Sequence, residues 1–102
     1  MDLPEIDLAT LQQELDQGAV VLDVREADEF QEARIPGVQH IPLMELPTRL
    51  EEVQAPVYVV CASGGRSRKA VEFMRRQGLE ATNVAGGTKA WLAEGLPYET
   101  GG

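Results

Sequence analysis

A chain of 102 residues, 43% of them hydrophobic and with a net charge of −8, has the length of one domain and leaves no room for a second core. At this size about two-thirds of the unfolded chain's surface is buried on folding, so no disulfide or metal staple is needed. The acidic balance argues against a nucleic-acid partner, whose phosphates reward Lys and Arg. One Cys and one His fall short of a typical zinc ligand set, so no metal site is expected.

The N-terminal MDLPEIDL has no basic region leading into an apolar stretch, and no run approaches the roughly 18 apolar residues of a membrane span. A cytoplasmic, membrane-free monomer is the expectation, and a reducing compartment suits a free thiol.

In chain order, short apolar β-branched runs alternate with stretches of helical period, the pattern of an α/β fold with a mostly parallel sheet. Ile6 reads as a short first strand. Asp7 then caps a helix with Leu8, Leu11 and Leu15 along one face, which Gly18 ends. VVLDV at 20–24 is a buried strand, followed by a helix over 27–33 and a third strand over 38–41. A helix is predicted over 42–50, the most apolar strand at 57–60 (VYVV), and a helix over 66–77 stopped by Gly78. Thr82 to Val84 forms the last strand and 88–94 the last helix, before Gly95.

Charge is unevenly spread. Residues 1–60 hold thirteen acids against three arginines, whereas 61–78 hold Arg66, Arg68, Lys69, Arg75 and Arg76 against Glu72 alone. A basic island directly after the only cysteine can focus a small anion there, or can be no more than a solvated helix face.

The cysteine itself, Cys61, ends the most apolar strand and opens the loop CASGGR. In open α/β sheets ligands bind at such strand ends. Ala62, Ser63, Gly64 and Gly65 keep bulk away, and the glycines allow the backbone to turn its amides inward. Amides leading into a helix N-terminus can hold an anion or a thiolate. A thiol with an ordinary pKa near 8.5 is only slightly ionised at neutral pH, so a sulfur nucleophile needs that support.

These residues resemble the rhodanese family along almost the whole chain. VVLDVREADEF at 20–30, IPGVQHIPL at 35–43, CASGGRSRKA at 61–70 and NVAGGTKAWLAEGLP at 83–97 are similar to the family's blocks in order and spacing. The resemblance implies one rhodanese-like domain over 1–102, a five-stranded mostly parallel sheet with helices on both faces, and a cysteine that alternates between thiol and persulfide without a cofactor. It implies an anionic sulfur donor such as thiosulfate, and an external acceptor: cyanide, a small thiol or a protein.

Within that frame the amides of Ala62 to Arg66 are expected to stabilise the anionic sulfur, and Arg66 to hold the donor's sulfonate. Ser63 and Ser67 are candidate donors to the sulfur. Asp23, Arg25, Glu29 and Phe30 read as a fold-stabilising set, Trp91 as core, and Gly86 and Gly87 as the turn into the last helix, flanking the pocket and touching the chemistry only indirectly. His40 stands where the family commonly has Asn, and Ala33-Arg34 where it has Gly-His; His40 is read as structural.

Two rivals differ in class. A non-catalytic docking module of the same fold would have little use for Cys61 in a glycine-lined loop. A cysteine phosphatase or arsenate reductase usually spaces Cys and Arg by five residues, whereas only Ala62 to Gly65 intervene here, a loop better suited to one sulfur atom. The terminal Gly101-Gly102 resembles the end of sulfur-carrier proteins, but a loose chain end is the simpler reading.

Overall fold

The computed structural model describes residues 3–101. Five strands, Glu5–Ile6 (β1), Val20–Asp23 (β2), Gln39–His40 (β3), Val57–Val60 (β4) and Ala81–Val84 (β5), make one sheet in the order β1-β5-β4-β2-β3. Every strand pair is parallel. Parallel neighbours need crossovers, supplied by α1 (Leu8–Asp16), α2 (Ala27–Glu32), two 3₁₀ stretches, Leu43–Thr48 and Leu50–Glu52, and α3 (Gly65–Arg76), while α4 (Gly87–Ala93) follows the last strand.

Strand periodicity divides the core into two layers. Leu22, Val57 and Val59 face Leu46 and the α3 residues Ala70, Val71 and Met74. Val21, Val60 and Val84 face Leu8 and Leu11 of α1 and Trp91 of α4. The sheet is thus covered on both faces, and β2 and β4 are the short, Val-rich runs that such burial selects. The expected cap on α1 is present: Asp7 Oδ1 accepts the Thr10 amide at 2.8 Å.

Two elements differ from expectation. The segment 42–50 is not α-helical; Leu43–Thr48 is a 3₁₀ stretch with Pro47 inside it. Pro47 has no N–H to give to Leu43, so an α-helical ladder is interrupted there, and the bonds that form are three residues long, Glu45 to Pro42 and Arg49 to Leu46. The third strand is Gln39–His40 rather than the whole of 38–41. Its ladder is nonetheless extended by the amides of Ile41 and Leu43, which donate to Asp23 and Val24. The other elements lie within about two residues of their predicted limits.

The C-terminal segment is tied down as far as Gly101. Glu99 bridges to Arg34, and the Gly101 carbonyl accepts from Arg34 Nη1 at 2.6 Å. Gly102, half of the terminal diglycine, lies outside the described residues.

Connections leave the middle of the sheet in opposite directions. From β2 the chain moves outward to β3, and from β4 outward to β5 on the other side. The carboxyl ends of β2 and β4, paired to Asp23↔Val60, therefore form the switch point at which open α/β sheets place ligands.

Candidate active site

Cys61 follows directly on β4 at that switch point and is 1% exposed. The loop turns at Gly64, whose φ of +119° lies in the left-handed region, a backbone conformation that glycine adopts without penalty. This turn folds the Gly64 amide back onto the cysteine, 3.0 Å from Sγ. One turn into α3, the buried Ser67 hydroxyl lies 3.3 Å from Sγ and 3.1 Å from the Gly64 carbonyl. With one hydroxyl proton, Ser67 donates to one of these acceptors at a time.

The loop's carbonyls point the other way. Those of Cys61 and Ala62 accept the Thr88 and Lys89 amides of α4 at 2.8 and 3.0 Å. Backbone approaches backbone so closely that a Cβ on Gly87 would lie 2.5 Å from the Cys61 oxygen and 2.6 Å from that of Ala62. The Gly86-Gly87 turn is therefore part of the support of the reactive loop.

Burial is the strongest influence on the Cys61 thiol and pushes its pKa up. The Ser67 hydroxyl and the amides of Ser67, Gly64 and Ser63 outweigh it, so the thiol lies below its ordinary value. Of the expected loop amides, those of Gly64 and Ser63 act on the sulfur, joined by that of Ser67. Gly65 and Arg66 are the first two residues of α3, where backbone N–H groups have no partner within the helix.

Arg66 does not stand free. Its Nη1 and Nη2 donate to Glu29 Oε1 and Oε2 at 2.6 and 2.9 Å, a fork-on-fork pair. Its partner holds the Glu29 carboxyl down to about 2. The hydrogen bonds to Glu29 raise the Arg66 pKa, and the negative charge on Cys61 adds to this by a smaller Coulombic effect. The basic island is likewise dispersed by the fold: Arg68 pairs with Glu5, Arg76 with Glu72, and Arg75 donates to the Ala81 carbonyl. Acids distant in sequence supply two of these partners, so the uneven charge of the chain does not become a free basic patch.

Beside the loop lies a cleft of about 160 Å³ that includes Ala62, Glu29, Glu32, Thr88 and Lys89 in its walls. Behind it, Asp23 and Arg25 form a buried ion pair with an Nη2 to Oδ2 distance of 2.8 Å. Arg25 also donates to the Glu29 and Ala33 carbonyls, which fixes α2 against the end of β2. His40 stacks on Phe30 with ring centroids 4.2 Å apart, and its Nε2 donates to the Arg25 carbonyl at 2.7 Å, since a carbonyl can only accept. Trp91 is core, its Nε1 donating to the Pro97 carbonyl. Ser63 is exposed, and its side chain makes no hydrogen bond among the described residues.

Known proteins share this fold. The family model for the rhodanese-like domain matches residues 7–94. A putative sulfurtransferase of Bacillus subtilis, YtwF, is 36% identical over 101 residues, covering 95% of this chain and 98% of that protein. A putative sulfur carrier protein of the same organism, YrkF, is 40% identical over 97 residues, 90% of this chain, but the match spans only 52% of the relative. A rhodanese-related protein from Thermoplasma volcanium superposes with a TM-score of 0.87 at 35% identity, covering 94% of this chain and 97% of that one. With the model matched over most of its length and the same fold in its relatives, the chain belongs to the rhodanese family.

Proposed function

We propose that the protein is a sulfurtransferase that carries sulfane sulfur as a persulfide on Cys61. The observation that carries this reading is a buried thiol whose sulfur accepts from the Gly64 amide and lies beside the Ser67 hydroxyl, contacts that favour its ionised form. A non-catalytic docking module gains nothing from a cysteine whose ionised form is favoured against its own burial.

With thiosulfate as donor, the Cys61 thiolate attacks the outer sulfur. A new S–S bond forms to Cys61, the old S–S bond breaks, and sulfite leaves with the electron pair. The resulting persulfide anion is held in the loop, where the amides of Gly65 and Arg66, which have no partner within α3, are available to its outer sulfur. A nucleophile such as cyanide then attacks that outer sulfur, and the Cys61 thiolate departs. With a single cysteine in the chain, a second protein thiol cannot resolve the persulfide internally, so the acceptor is a cyanide-like nucleophile, a small thiol or another protein. Arg66 is the group suited to a sulfonate, provided that it is released from or shared with Glu29.

The test is sulfur transfer from thiosulfate to cyanide by the wild type and Cys61→Ala. Loss of transfer on substitution is expected. Equal rates in the two proteins would refute the reading.

A further inference from the structure

We infer that Glu29 is a specificity-determining residue that disfavours donors with an anionic headgroup, by occupying and neutralising the one loop guanidinium able to bind a sulfonate. The inference rests on the sulfur-transfer reading above and refines its choice of donor.

Three observations carry it. Both carboxylate oxygens of Glu29 engage Arg66, which spends two of the guanidinium's five N–H groups and sets a full negative charge beside it. Glu29 is itself pre-set for this role: Oε1 also accepts the Glu26 amide at 3.0 Å, and the Glu29 carbonyl accepts from Arg25 and from the Ala33 amide. Holding the carboxylate in place therefore costs little extra ordering. Finally, the cleft that reaches the loop at Ala62 has Glu29 and Glu32 in its walls, with Lys89 as the only cationic wall not committed to an ion pair among the described residues.

A thiosulfate ion approaching the loop from that cleft passes Glu32, and one that binds Arg66 must share it with Glu29. A small alkyl persulfide, R–S–SH, has no such headgroup and needs only the thiolate and the loop amides. Its transfer is balanced without Arg66: Cys61 takes the outer sulfur and R–S⁻ leaves with the electron pair.

Glu29→Gln removes the charge while leaving an oxygen for the Glu26 amide. Glu29→Asp, which keeps the charge but draws it back from Arg66, is the second variant. The primary readout needs no turnover: the sulfate concentration that halves the rate of Cys61 alkylation by iodoacetamide. Glu29→Gln is expected to lower it about fivefold, the scale of one partly exposed ion pair, and Glu29→Asp to lower it less. The thiosulfate KM should fall by a similar factor while kcat changes little, and the thiosulfate-to-alkyl-persulfide ratio of kcat/KM should rise. In an Arg66→Ala background the sulfate shift should shrink to less than half. Unchanged or weaker sulfate protection in both Glu29 variants overturns the inference, as does an undiminished shift without Arg66. Because sulfate is inert, a failure of Cys61 to take up sulfur would sink the transfer reading and leave this result to be judged on its own.

Discussion

The Thr88 amide donates to the Cys61 carbonyl at 2.8 Å, so the start of the last helix grips the main chain of the reactive residue. The cradle around the sulfur is thereby built from both sides. Carbonyls are drawn outward by α4, and amides are turned inward by Gly64 and α3.

Gly87 makes that grip possible, and its substitution is the most damaging small change expected in the loop region. Gly87→Ala places a Cβ 2.5 Å from the Cys61 oxygen at a φ of +62°. Backbone on both sides must move, at a cost of about 2–4 kcal/mol. Gly64→Ala meets nothing within 4 Å and should cost only the strain of its positive φ, about 1–2 kcal/mol. Urea unfolding of both variants checks the order; a Gly64→Ala variant as unstable as Gly87→Ala would contradict it.

Ser67→Ala removes the hydroxyl beside the sulfur but leaves the amides. The loss of this hydrogen bond to the sulfur should raise the thiol pKa. The pH profile of Cys61 alkylation reads this directly, and an unshifted profile would mean that Ser67 gives its proton to the Gly64 carbonyl instead.

Asp23 and Arg25 are both buried, and Asp23→Ala leaves the guanidinium of Arg25 without its charge partner. A loss of about 3–5 kcal/mol is expected, seen as a lower urea midpoint. Cys61 alkylation by the folded fraction should be little changed, because neither residue touches the sulfur.

Glu29 links the site to acid stability. Its carboxyl has a folded pKa of about 2 against an ordinary value of 4.5, so ionised Glu29 favours the folded chain. That contribution is fully present above pH 4.5 and is lost as pH falls toward 2. The difference in Tm between wild type and Glu29→Gln should therefore narrow over this window, and a constant difference would show that the Arg66 pair adds no stability of its own.

Much of this was legible in the chain because it is written in local patterns. The Val-rich runs of β2 and β4, the Asp7 cap and the glycine stops each fix an element from its own residues, and the CASGGR loop announces its cysteine by its neighbours. What was not legible has a common cause in contacts between distant residues. Arg66 reads as a sulfonate-binding group, and only the fold brings Glu29, from the crossover between β2 and β3, against it. The thirteen acids before residue 61 were the available hint, since charges so unevenly divided find each other when the chain folds. In the same way Gly87 is legible as a turn residue beside the pocket, but its close approach to the Cys61 and Ala62 carbonyls is set only by the packing of α4. The 3₁₀ stretch is a different case: Pro47 stood inside the predicted helix and already argued against it.

The central claim is that Cys61 holds the transferred sulfur, and intact mass spectrometry of the protein after incubation with thiosulfate or a small alkyl persulfide tests it most directly. The wild type should gain the mass of one sulfur atom, lose it on addition of cyanide, and show neither change as Cys61→Ala. A wild type that gains no sulfur from either donor, or a Cys61→Ala variant that still does, would contradict the account.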